Sequence, residues 1–255
     1  MRALFAAIGF LTVLPAPGGA GLRDEDWGRA VGWYPAAGLL LGALLAGLDW
    51  LLRQVWTDGL ASVLVLAAWV ALTGALHLDG FVDCCDALLA PVSPERRLEI
   101  LRDVHAGTFG LVGAILLLLV KAAALAALPG PVRPAALLLL PTLARWAMSG
   151  AVVLFPYARP GPGLGRLART GAGPRELALA TATVLLAATL AWALGLGWAA
   201  ALLPPVVALA AALLAAWIRR RIPGLTGDAY GALCETGEVA GLLALAALAA
   251  RGALP

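Results

Sequence analysis

Long apolar runs separated by short polar loops make up most of the chain. Seven of these runs are close in length to the roughly 20 residues that a helix needs to cross a bilayer. They cover residues 31–52, 60–78, 108–128, 135–155, 177–196, 198–218 and 232–250. Only helices and closed barrels satisfy their backbone polar groups in lipid, and runs of this length are helical. The pattern therefore predicts an all-α, polytopic transmembrane helical bundle of about seven spans.

Two shorter elements accompany the predicted spans. Residues 3–14 are apolar but precede no small-residue cleavage site, so we interpret them as an N-terminal interfacial or re-entrant helix rather than a signal peptide. Ser93 is typical of a helix N-cap and Pro94 of a first helical position, which predicts a surface helix near residues 94–105. Because no linker or repeat divides the chain, we expect one integral-membrane domain over residues 1–255.

Composition points to the bilayer as the main partner. The 255 residues are 62% hydrophobic and 13% charged, whereas soluble domains carry roughly 25% charged residues. The net charge is only +3 and the basic residues lie mostly in loops, so the basic face that nucleic-acid binding needs is absent and no nucleic-acid partner is expected. Cys84, Cys85 and Cys234 lack the spacing of a metal or redox motif.

Arginines are distributed asymmetrically between the loops. If side one is the face that carries the N-terminal segment and the loops after the second, fourth and sixth spans, thirteen arginines fall there. Side two receives only Arg53, Arg133 and Arg251. Cytoplasmic loops carry the excess of basic residues. Side one is therefore predicted to face the cytoplasm, across a bacterial or archaeal cytoplasmic membrane.

A first acidic stripe follows the second predicted span. On a helix, Asp79, Asp83 and Asp86 fall within an arc of roughly 60°. Three carboxylates on one face repel each other unless a cation compensates them, and Mg²⁺ binds carboxylate and phosphate oxygens together. We interpret these three residues as catalytic and as Mg²⁺ ligands. The alternative is a solvated helix end, where an acidic stripe is ordinary.

A second acidic stripe begins the last span. Thr226 is a plausible N-cap, and Asp228, Glu235 and Glu238 share a face of roughly 80°. Ionisable groups entering an apolar span are functional hypotheses by default. We assign Asp228 and Glu235 to catalysis and expect them to face the first stripe across one site. Glu238 either contacts substrate, or it snorkels or pairs with one of the arginines at 219–221.

Further polar residues are candidates for substrate binding. They are His77, Arg102, Asp103, His105, Lys121, Arg145 and Arg159. Arg159 lies in a glycine-rich loop and offers a bidentate fork for phosphate. Lys121 and Arg145 lie inside spans, where a charge is costly unless it is paired. Because no acidic residue lies in mid-span, we expect their partners to be the acidic stripes or an anionic substrate.

The chain lacks the patterns of acyl transfer and of P-loop chemistry. No Ser/His/Asp set and no Walker loop is found. Acidic helix ends beside arginines and glycine-rich turns instead suggest phosphoryl transfer, in which a protein mainly positions groups and neutralises charge.

Together these blocks resemble the cobalamin synthase family, the adenosylcobinamide-GDP ribazoletransferases. The similar segments are residues 10–17, 77–87, 98–108, 157–165 and 226–238, in the family's order. There are departures from the family's pattern. Ala87 replaces a usual glycine, and His105 stands where the family commonly has arginine.

The resemblance implies a reaction and its partners. A hydroxyl of α-ribazole, or of its 5′-phosphate, attacks the corrin-proximal phosphate of adenosylcobinamide-GDP, GMP leaves, and Mg²⁺ is required. The domain would then be catalytic. The lipid bilayer is the remaining partner, and homo-oligomerisation is left open.

Two competing functions are considered. A CDP-alcohol phosphotransferase also holds a metal on membrane-helix aspartates, but its motif requires Ala-Arg three residues after Asp-Gly, and here that stretch reads Asp83-Cys84-Cys85. An ion-coupled transporter should place charges near the bilayer midplane on broken helices in repeated halves. Release of GMP from the corrinoid substrate without a membrane gradient would distinguish the enzyme from the transporter.

Overall fold

Helices joined by short turns account for the architecture. The computed structural model describes residues 1–17, 21–103, 105–159, 161 and 163–254. Its α-helices are α1 (Arg2–Leu11), α2 (Asp24–Ala30), α3 (Tyr34–Leu52), α4 (Asp58–Leu72), α5 (Leu76–Leu89), α6 (Pro94–Ile100), α7 (Thr108–Ala126), α8 (Arg133–Leu154), α9 (Leu164–Gly171), α10 (Pro174–Ala191), α11 (Ala199–Arg219) and α12 (Gly227–Ala249). No strand occurs within these ranges, so the all-α prediction is confirmed.

Six helical segments in the described ranges are long and apolar enough to cross a membrane. They are Asp24–Leu52, Thr108–Ala126, Gly130–Leu154, Pro174–Leu196, Ala199–Arg219 and Gly227–Ala249. A seventh span arises if α4 and α5 are taken together. The protein is therefore a multi-pass membrane protein, as the hydrophobic pattern predicted.

The second predicted span differs from the observed structure. We expected one helix over residues 60–78, but α4 ends at Leu72 and α5 leaves it at an angle of 89°. Gly74 and Ala75 both adopt left-handed backbone conformations, and the amide of Ala75 bonds the carbonyl of Val70, which closes the end of α4. Hydropathy could not reveal this break because the turn residues are as apolar as the helix.

Helix α8 lies at the centre of the bundle. It packs against α3, α10, α11 and α12, and most of its residues are buried. Its contact with α3 is close because a Cβ atom at Gly42 would stand 2.6 Å from the carbonyl oxygen of Leu137. Glycine at this position allows the two backbones to touch, and α8 supplies a fixed wall for the helices that carry the polar residues.

The predicted side-one loops lie together at one end of the bundle. The loop after α8 pairs with the loop before α12, where Ala158 and Leu225 share a backbone hydrogen bond of 2.8 Å. Helix α2 touches α9 where Gly28 meets Gly171. This clustering agrees with the alternation of spans from which the topology was predicted.

The short helices at this end correct two sequence expectations. Ser93 caps α6 as predicted, but α6 ends at Ile100 instead of continuing to residue 105. Val104, within the expected surface helix, lies outside the described residues. Helix α9 was not predicted, because its sequence is rich in glycine and arginine.

At the opposite end, a buried ion pair joins three helices. The guanidinium of Arg133 bonds the carboxylate of Asp49, with the shortest contact at 2.5 Å, and the hydroxyl of Ser62 at 3.0 Å. Asp49 and Arg133 are fully buried. Arg133 is thus not the loop charge that the sequence indicates. The partner Asp49 gives no signal in the sequence because a single acid at the end of an apolar run forms no periodic pattern.

The orientation is testable by cysteine labelling from outside intact cells. In a variant lacking the three native cysteines, single cysteines at the exposed positions Glu95, Thr170 and Arg220 should resist an impermeant maleimide until the membrane is opened. A cysteine at Gln54, in the turn after α3, should react at once. Labelling of any of the first three in intact cells would contradict a cytoplasmic side one.

Candidate active site

The two acidic helices cross where both carry glycine. A Cβ atom at Gly80 in α5 would stand 2.8 Å from the carbonyl oxygen of Asp228, and one at Gly231 in α12 would stand 2.9 Å from that of His77. Side chains do not tolerate such distances, so glycine at both positions permits backbone contact. The crossing brings Asp79 and Asp228 to the walls of one cavity. The expected meeting of the two stripes is therefore observed for Asp228.

The three aspartates of α5 have different environments. Asp79 is exposed and Asp83 is half-buried, and neither accepts a side-chain hydrogen bond within the described ranges. Asp86 instead accepts bonds from the amides of Gly107 at 2.7 Å and Gly110 at 2.8 Å. These amides are unpaired donors at the start of α7. Asp86 thus caps the N-terminus of α7, a role that the spacing of the three aspartates does not indicate.

The carboxylates at the crossing suit a hard divalent cation that takes only one or two of its ligands from the protein. No group of three or more histidine, cysteine or acidic side chains close enough to hold a metal is found in the described ranges. Magnesium is usually bound through one or two carboxylates together with substrate phosphates and water. That requirement is met by Asp79 and Asp83, which are one helical turn apart and have no side-chain hydrogen-bond partner in the described ranges. Asp228 is next to them.

Arg159 ties three segments together beside these carboxylates. One terminal nitrogen donates to a carboxylate oxygen of Asp228 at 2.5 Å and to the carbonyl of Leu101. Its Nε is buried and has no partner in the described part of the chain. Since guanidinium carries five donors, Arg159 retains donors for a phosphate while it holds Asp228 in place.

The other predicted residues after α6 lie at the rim. Arg102, Asp103 and His105 are exposed and do not line the cavity. The His105 ring and the Asp103 carboxylate are 2.7 Å apart, and this hydrogen bond, with a second from the His105 amide, lowers the pKa of Asp103. Neither Arg102 nor Arg159 is among the residues that line this cavity.

Below the acidic face lies a buried network of charges. The ammonium of Lys121 bonds Glu235 at 2.8 Å and Glu238 at 2.5 Å and stands 4.6 Å from the Trp69 ring centroid. Arg145 pairs with Glu238 and donates to Nδ1 of His77 at 3.3 Å. Of the partners expected for the two span cations, the acidic stripes or an anionic substrate, the structure shows the second stripe.

Two residues of the second acidic stripe lie deeper along α12 than we expected from the sequence. At 1.5 Å per residue, Glu235 and Glu238 lie about 12 and 16 Å along α12 from its first residue. They are not at the helix end. Glu235 therefore does not face Asp83 across the site, as we expected from the sequence, and it bonds Lys121 instead. Charges at this depth beside a broken span would also suit a transporter, but here they neutralise one another.

The family model for cobalamin-5-phosphate synthase matches residues 3–246. The chain belongs to the cobalamin-5-phosphate synthase family. It is thus a membrane enzyme, a transferase of cobalamin biosynthesis, and the resemblance stated from sequence is confirmed. Neither of the two competing functions is supported by this match.

Relatives named adenosylcobinamide-GDP ribazoletransferase are similar over almost the whole chain. The protein from Roseiflexus sp. (strain RS-1) is 39% identical, covering 94% of this chain and 89% of the relative. That from Geotalea daltonii is 38% identical, with 98% and 99% covered, and that from Pseudomonas paraeruginosa is 42% identical, with 96% and 98% covered. No solved structure matches the chain.

Removing Lys121 tests the buried network. Lys121→Met leaves Glu235 buried without a cation, which should destabilise the protein by about 3–5 kcal/mol. Lys121→Met with Glu235→Met should recover most of this loss because no uncompensated charge remains there. Unfolding in detergent measures both.

The exposed pair Arg96 and Glu99 provides the control. Arg96→Met should change stability by less than about 1 kcal/mol. If Lys121→Met were equally mild, the ion pairs would not stabilise the bundle.

Proposed function

We propose that the protein transfers the adenosylcobinamide phosphate moiety of adenosylcobinamide-GDP to α-ribazole or its 5′-phosphate. GMP is released, and adenosylcobalamin or its 5′-phosphate is formed. The reaction requires Mg²⁺ and takes place at the cytoplasmic face. The observation that carries this proposal is the crossing of α5 and α12, which gathers Asp79, Asp83 and the Asp228–Arg159 pair at one end of the bundle.

The names of the relatives support the substrate assignment. Proteins 38–42% identical to this chain over nearly its full length are named for transfer between adenosylcobinamide-GDP and ribazole. The residues of the crossing fit such a substrate because a diphosphate needs both a cation-binding face and a cationic side chain. The exposed position of Asp79 at this end of the bundle suits a large polar substrate that cannot enter a bilayer.

The chemistry follows from the placement of charge. The acceptor hydroxyl oxygen forms a bond to the corrin-proximal phosphorus, the bond from that phosphorus to the oxygen bridging to GMP breaks, and the hydroxyl proton is released. A bound Mg²⁺ would neutralise phosphate charge as it develops. Asp79 and Asp83 would hold it, and Arg159, fixed by Asp228, would orient the phosphate oxygens from the other side.

Asp86 and the buried network act through other residues. Asp86 fixes the start of α7 relative to α5. His77, Arg145 and Glu238 set the position of α5 against α8 and α12. We assign Asp86, Arg145 and Glu238 to positioning, which departs from the roles expected from the sequence.

The proposal is tested with purified protein, both substrates and a measurement of GMP release. Wild-type activity should require Mg²⁺ and should disappear in EDTA. Asp83→Asn preserves shape but removes charge, so it should reduce kcat by about 100-fold or more at limiting Mg²⁺.

Asp24→Asn, at an exposed position of α2 on the same side, is the matched control and should retain activity. Release of GMP without any divalent cation, or full turnover by Asp83→Asn at limiting Mg²⁺, would refute the metal assignment.

A further inference from the structure

A cavity with aromatic walls adjoins the acidic crossing. It has a volume of about 160 Å³ and lies between α1, α2, α3, α5, α8, α9 and α12. Phe10, Trp27 and Tyr34 form one wall, where the Phe10 ring centroid is 5.9 Å from that of Trp27 and 6.2 Å from that of Tyr34. Met148 and Val152 of α8 add apolar surface. Asp79 and Asp228 stand on its wall beside the crossing.

Two buried polar groups in this wall have no partner in the described ranges. They are Nε2 of His77 and the hydroxyl of Tyr230, whose residues are 1% and 5% exposed. Arginine can only donate, so the bond from Arg145 makes Nδ1 of His77 an acceptor. The neutral ring therefore carries its proton on Nε2. Buried donors without partners are costly, and a ligand acceptor would satisfy this one.

We propose that this cavity binds the flat heteroaromatic base of the nucleoside acceptor, a bicyclic ring of the benzimidazole type. His77 Nε2 donates to the free ring nitrogen, the aromatic side chains contact the ring faces and edges, and the Tyr230 hydroxyl bonds the sugar. This inference rests on the proposed function and assigns the acceptor subsite within it.

Size and polarity favour this ligand over the other parts of the two substrates. An apolar cavity of roughly 150 Å³ accommodates benzene, so a cavity of this size with an opening suits a small aromatic base and excludes a corrin ring. Guanine would bring several donors and acceptors into a mainly apolar wall, and most would lose their hydrogen bonds. A benzimidazole nucleoside presents one ring acceptor, which matches the one assigned donor.

The position of the cavity also fits the reaction. Asp79 and Asp228 line it, so a nucleoside with its base inside would have its sugar near the carboxylates. The acceptor hydroxyl is on that sugar. Holding the base by its faces would thus direct the hydroxyl toward the phosphate that Arg159 orients.

Val152→Phe tests the assignment by filling the cavity, and Val153→Phe is its control on the same helix but outside the lining. The KM for α-ribazole should rise about tenfold or more in Val152→Phe, equivalent to about 1.4 kcal/mol. The KM for adenosylcobinamide-GDP should stay within about twofold. Tyr230→Phe, which keeps the ring, should raise the α-ribazole KM about threefold to tenfold through the lost hydrogen bond.

A second measurement does not depend on turnover. Free benzimidazole should show saturation-transfer NMR contacts with the wild-type protein and with Val153→Phe in detergent, and none with Val152→Phe. Circular dichroism confirms that each variant is folded, and if Val152→Phe is not, the α-ribazole KM of Tyr230→Phe is the test. A wild-type protein that binds benzimidazole in this way but releases no GMP would refute the proposed function and leave the site standing. Unchanged benzimidazole binding in folded Val152→Phe, or a rise confined to the KM for adenosylcobinamide-GDP, would overturn the subsite.

Discussion

The close contact between α5 and α12 is the constraint on which the site depends. Two glycines, Gly80 and Gly231, allow the backbones to touch, and each lies against a backbone group of the partner helix. Asp79 and Asp83 flank the first glycine, while Asp228 is the residue that it meets. The acidic residues are therefore brought together by backbone packing, and not by any attraction between like charges, which would oppose it.

Charge pairing fixes the depth and angle of this crossing. Lys121 of α7 and Arg145 of α8 each bond Glu238 of α12, and Arg145 also reaches His77 at the start of α5. A charge left unpaired in the membrane interior is expensive, so displacement of any one helix would break several bonds at once. The network thus acts as a buried support beneath the acidic face, and the break between α4 and α5 allows α5 to meet it.

Periodicity in the sequence predicted much of this arrangement. The apolar runs located the spans, and helical spacing placed the aspartates of α5 on one face. The same patterns could not show the break at Gly74 and Ala75, because the turn depends on left-handed backbone in an apolar stretch. Long-range partners were also hidden, since the amides that Asp86 caps are 21 and 24 residues away.

The separate roles of Glu235 and Asp228 also could not be predicted from helical periodicity. Helical spacing placed both on one face of α12, yet Asp228 joins the crossing and Glu235 bonds Lys121. What separates them is depth along the helix, which an angular projection ignores. The distinction required the packing of α7 against α12, a contact between segments more than 100 residues apart.

The most direct test of the account is the activity of Gly80→Ala compared with that of Gly47→Ala. A Cβ atom at Gly80 would lie within 3.0 Å of the Asp228 backbone, whereas one at Gly47 in α3 meets nothing within 4 Å. Separation of α5 from α12 by even 1 Å should reduce GMP release by about 100-fold. Gly47→Ala should keep full activity. Wild-type turnover by a folded Gly80→Ala enzyme would contradict the claim that backbone contact at this crossing assembles the site.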